Sequence, residues 1–143
     1  MERSGWLIAA GALNVGAALL HLACIVGGPA WYRLLGAGER MARMAERGSL
    51  RPALITIGIA TILGLWASYA FSGAGLLPRL PLLRPALIAI SAIYALRAAA
   101  LPVMLARMPD RSPAFLVWSS AIVLGFALIH GIGIWLNWGR LAG

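Results

Sequence analysis

Lysine is absent from this chain, and only four acidic residues are present: Glu2, Glu39, Glu46 and Asp110. Charged residues make up 11% of the 143 positions, against about 25% in a soluble domain. That is too little charge to solvate a globular surface. A single cysteine excludes an internal disulfide and a Cys-based metal site. There is no phosphate loop, no Gly-x-Ser-x-Gly and no His-Glu-x-x-His. Together these absences exclude a soluble enzyme, a disordered chain and a nucleic-acid reader. The formal charge of +8 is explained instead by anionic lipid headgroups.

What fills the sequence is apolar: 62% hydrophobic residues and a mean hydropathy of +0.88. A bilayer core needs roughly 20 apolar residues per helix. Charge-free stretches between Arg3 and Arg33, Arg51 and Arg79, and Arg111 and Arg140 are long enough. They predict spans near 5–27, 52–73 and 114–137. A further span is predicted near 82–106, between Pro81 and Pro109. Only twelve residues separate Arg84 from Arg97, about 18 Å of helix. If this segment crosses, Arg97 must lie inside it, whereas Arg84 can snorkel to an end. The expected fold is therefore an all-α integral membrane protein. It would be a single domain, an antiparallel four-transmembrane-helix bundle with short links. Helix 1 reads as an uncleaved anchor, because its apolar run continues past Cys24 to Pro29.

The one long loop, 28–50, carries Met41, Met44 and Ala45 at helical spacing, and a Glu39–Arg43 pair at i,i+4. It predicts a short interfacial helix or a solvated helical hairpin. Seven arginines fall on the side holding this loop and four on the side holding both termini. Because cytoplasmic loops are enriched in Arg, both termini are expected outside, in a bacterial inner membrane. Small residues that let helices approach closely form ridges at Thr56, Ala60, Gly64 and Ser68, and at Gly5, Ala9, Ala12 and Gly16. Further small residues are Ser91, Ala92, Ala95 and Ala99 on the third span, and Ala121 and Gly125 on the fourth. Most tryptophans fall near predicted ends, and Trp66 lies deepest.

Ionisable residues inside a span are costly and count as functional candidates. Depth along the helices sorts them into two layers. Arg97, His21 and Tyr94 form the candidate ligand-binding layer, with Thr56 and Ser119 somewhat nearer the loop side. His130, Asn14, Ser68 and Ser91 form a second polar layer. No acid lies within a span, so Arg97 has no carboxylate there, and Pro102 frees the carbonyl of Ala98 one turn back. A structural alternative is that Arg97 snorkels to the headgroups and each histidine bridges helices by hydrogen bonds. No cofactor is expected. A bis-His haem needs both rings at one level, and His21 and His130 differ in height by roughly 12–15 Å. Metal binding lacks a third ligand.

Three function classes follow. The leading one is binding or transport of an amphipathic anionic small molecule or lipid in an intramembrane polar pocket anchored by Arg97. The second is an accessory or assembly subunit, satisfied by a partner membrane subunit or by a copy of itself. The third is a small membrane enzyme with His21 as base, the weakest reading because no carboxylate can orient the imidazole. Membrane lipids are expected partners and nucleic acid is not.

Overall fold

A computed structural model describes residues 4–142; Glu2 and Arg3, which entered the charge argument, lie outside the described residues. The described chain is helical throughout, with six helices and no strand among the described residues. They are α1 (Gly5–Leu34), α2 (Glu39–Glu46), α3 (Arg51–Gly73), α4 (Leu83–Ala99), α5 (Leu101–Arg107) and α6 (Pro113–Leu136). Helices α1, α3 and α6 are each long and apolar enough to cross a membrane, and α4 with α5 qualifies as a bent pair. These lengths and compositions mark a multi-pass helical membrane protein.

Two boundaries differ from the sequence expectation. The predicted 82–106 span is broken: α4 and α5 meet at Ala100 with a bend of 49°. Pro102 explains it, since its ring has no N–H and clashes with the carbonyl of Ala98. The first helix runs on beyond residue 27 to Leu34, but turns at Gly28, whose φ of 67° and ψ of −151° are not helical. Gly28 tolerates that conformation for want of a Cβ, and Pro29 restarts the helix with a preset φ. Ser4 caps α1 by accepting from the Leu7 N–H, and Ser112 caps α6 by accepting from the Phe115 N–H.

The long segments pack in a ring in which α1 and α4 touch α3 and α6 and lie diagonal to each other. Leu7, Ala10, Leu63, Leu87, Ile90, Tyr94, Ala127 and Ile134 fill the centre. The small-residue ridge of α3 turns inward, with Thr56 and Ala60 buried and Gly64 and Ser68 half-buried. The ridge of Gly5, Ala9, Ala12 and Gly16 faces outward instead, as do Ala92, Ala95 and Ala99. Leu7, Ala10, Gly11 and Asn14 form the inner face of α1. Trp6, Trp31, Trp118, Trp135 and Trp138 are exposed at or near helix ends, which suits an aromatic belt.

At the loop end, Ala42 of α2 is buried with Cys24 and Tyr32 of α1. Arg33 clasps both acids of α2, donating to Glu39 at 2.9 and 3.0 Å and to Glu46 at 2.7 Å. The expected Glu39–Arg43 pair is present at 3.1 Å. Hydrogen bonds from Arg33 and then Arg43 hold the Glu39 carboxyl down at about 2. Glu39 therefore stays ionised well below the ordinary carboxylate range. At the opposite end Arg79 donates to the carbonyls of Arg140 and Leu141, and Arg84 lies 4.7 Å over the Trp138 ring.

Two glycine substitutions test this packing. A Cβ at Gly133 would lie 2.7 Å from Cδ2 of Leu7, a side chain fully enclosed by the core. Gly133→Ala is expected to destabilise by about 1–3 kcal/mol. At Gly16 nothing lies within 4 Å, so Gly16→Ala should leave stability unchanged or slightly raised. Thermal unfolding of both variants in the same detergent distinguishes them.

Candidate functional site

The polar groups of the spans divide into two sets. The deeper set centres on Tyr94. Its hydroxyl donates to Oδ1 of Asn14, diagonally across the interior. The Asn14 Nδ2 in turn lies 3.1 Å from Nε2 of His130, whose Nδ1 lies 2.8 Å from the carbonyl oxygen of Phe126. A carbonyl can only accept, so His130 carries its proton on Nδ1 and receives the Asn14 amide on Nε2. The chain of donors runs in one direction from Tyr94 to Phe126 and involves neutral groups. Asn14 and His130 are fully buried. The ring of Tyr94 meets the edge of Trp66 at 5.1 Å, Phe126 at 5.3 Å and His130 at 5.5 Å. All four long segments thus converge on one side chain.

The second set lies nearer the loop end. Arg97 occupies the last turn of α4, immediately before the bend. Its guanidinium donates to Ser120 at 3.1 Å and to Ser119 at 3.2 Å, and Ser119 donates on to the Leu116 carbonyl. These serines sit roughly 10 Å along α6 from its start, at 1.5 Å per residue. No carboxylate meets Arg97 among the described residues, and Arg111 lies close enough to repel it. A cation in the last helical turn is favoured by the carbonyl end of the helix dipole. That interaction is partial, and the full positive charge is not neutralised.

The remaining candidates bond within their own helices or across one contact. His21 lies 2.7 Å from the Ala17 carbonyl through Nδ1; among the described residues no bond links it to Arg97 or Tyr94. Thr56 donates to the Pro52 carbonyl, and Ser68 to that of Gly64. Ser91 donates to the Ala127 carbonyl, tying α4 to α6. The structure therefore brings Asn14 and His130 together, adds Tyr94 to them, and places Arg97 with Ser119. Ser120, the second partner of Arg97, follows Ser119 in the sequence but belongs to neither predicted layer. Among the described residues, no three His, Cys, Asp or Glu side chains cluster.

Comparison with protein-family models, with curated proteins and with solved structures returns no match for the chain. The reading of the site rests on its own chemistry.

The hub separates into hydroxyl and ring contributions. Tyr94→Phe keeps the ring contacts and orphans Asn14 Oδ1, at an expected cost of about 1 kcal/mol for one membrane hydrogen bond. Tyr94→Ala also deletes the ring and should cost about 3–5 kcal/mol. Reversible unfolding in mixed micelles gives both values.

Proposed function

We propose that this chain is a four-helix membrane bundle that binds or transports an amphipathic anion, with Arg97 as the anchor. The observation that carries this reading is the state of that guanidinium. It is half-buried on an apolar segment, bonded to two neutral hydroxyls, with no carboxylate against it among the described residues. Arg111 adds to the positive potential nearby. An anion supplies what this charge lacks, and a guanidinium fork suits the two oxygens of a phosphate or carboxylate. Beside Arg97 and Ser119 in sequence stand Leu96 and Trp118, 70% and 71% exposed, apolar surface for the ligand's tail. In this reading the arginine-rich loop end faces the cytoplasm of a bacterial inner membrane and both termini lie outside.

A second reading is favoured by one observation, the outward ridge of Gly5, Ala9, Ala12 and Gly16. Small residues at such spacing permit close helix contact, as a partner subunit or a second copy would make. Here the chain would be an accessory subunit of a membrane complex.

Native mass spectrometry with phosphatidylglycerol and phosphatidylcholine in equal amounts tests the first reading. The unaltered chain is expected to retain the anionic lipid in preference. Arg97→Leu is expected to cut that preference by about fivefold, the worth of one arginine near the membrane surface, with the fold intact. An unchanged preference contradicts the proposal. A change of oligomer size instead favours the second reading.

A further inference from the structure

The loop end holds a cleft separate from the Arg97 contacts with α6. It has a volume of about 800 Å³ and lies between α2 and the link joining α5 to α6. Five arginines line it: Arg40 and Arg43 from α2, Arg47 just beyond its end, Arg107 at the end of α5 and Arg111 from the link. Only two acids, Glu39 and Asp110, line it as well. The acids of α2 are already engaged. Glu39 is held by Arg33 and Arg43, and Glu46 by Arg33, which reaches over from α1. Consequently Arg40, Arg47, Arg107 and Arg111 form no ion pair among the described residues. An intramolecular clasp thus uses up the negative charge of α2 and leaves its positive charge facing the cleft.

The two walls are held in contact. Gly38 at the start of α2 approaches the link so closely that a Cβ there would lie 2.8 Å from Asp110 Oδ2. Its φ of 95° further reserves the position for glycine. Met41, Met44 and Met108, all half-buried, give the lining soft apolar patches that adapt in shape. The volume falls in the range of small-molecule sites, about 300–1,000 Å³. Several guanidinium groups around one cleft suit phosphate, whose oxygens accept the paired N–H donors of the fork. Four unpaired arginines exceed what one phosphate needs.

We infer that the cleft formed by α2 and the α5–α6 link binds a ligand carrying two closely spaced phosphates. Such a ligand is either the headgroup of a diphosphatidyl lipid or a soluble diphosphate. The site shares no hydrogen-bond partner with Arg97, because none of its proposed donors is bonded to Ser119 or Ser120.

The test uses the full chain and two probes. Inorganic pyrophosphate is titrated calorimetrically into the detergent-solubilised protein at low salt. Diphosphatidylglycerol retention is measured separately in nanodiscs. The comparison variant is Arg40→Gln/Arg47→Gln/Arg107→Gln, three exposed side chains whose loss leaves the helix contacts in place. Each arginine at headgroup level is worth about fivefold in anion binding, so the triple variant should bind roughly 100-fold more weakly. Arg97→Leu should bind as the unaltered chain does. A loss confined to the lipid assigns a membrane source, and a loss for pyrophosphate assigns a soluble one. Failure of the unaltered chain to bind either probe, or equal binding by the triple variant, overturns the proposal and leaves the Arg97 reading standing.

Discussion

Tyr94 is the point on which the interior depends. Lipid gives apolar helices no reason to prefer one another over acyl chains, so these segments need contacts that lipid cannot supply. A hydroxyl that crosses the interior to Asn14, and an amide that passes the bond to His130, are such contacts. They have direction, and an unsatisfied member is costly at this depth. The ring adds edge contacts to Trp66 and Phe126. One residue therefore fixes the rotation of α4 against α1, α3 and α6. The enclosed fit of Leu7 against Gly133 sets how closely α1 and α6 approach.

This arrangement keeps the centre neutral and leaves charge to the two ends, with more of it at the loop end. The arginine of the third segment does not join the Tyr94 network, although it lies one turn away. It turns instead to Ser119 and Ser120, close to the bend that Pro102 imposes. Beyond the bend, α5 carries the chain to Arg107 and Arg111 and so to the wall of the cleft opposite α2. The break in the helix thus carries the chain from the isolated guanidinium to the arginine-rich loop end. Arg33 shapes that region from a distance, by occupying the acids of α2.

Much of the helix layout was legible in the sequence, because long charge-free runs have few uses besides crossing a bilayer. The short helix after the first span was legible too, from the Glu39–Arg43 spacing. The bend at Ala100 was only half-legible. Pro102 marked the freed carbonyl, but nothing in the sequence set the angle. What depth along a helix could not give was rotation about its axis. Depth matched Asn14 with His130, yet it put Tyr94 with Arg97 and His21, while packing turned Tyr94 toward Asn14. The spans are apolar all round, so no polar face shows which side points inward. For the same reason the small ridge of Gly5, Ala9, Ala12 and Gly16 read as an inner face and proved to be an outer one.

The directed chain from Tyr94 to Phe126 fixes one proton without ambiguity. Nitrogen-15 NMR of the protein labelled in histidine, with His21→Gln to leave one signal, reads that proton directly. The account predicts a neutral His130 ring protonated on Nδ1, with Nε2 shifted as an acceptor of the Asn14 amide. A ring protonated on Nε2 would contradict it, because Asn14 would then have to turn over and lose its bond from Tyr94.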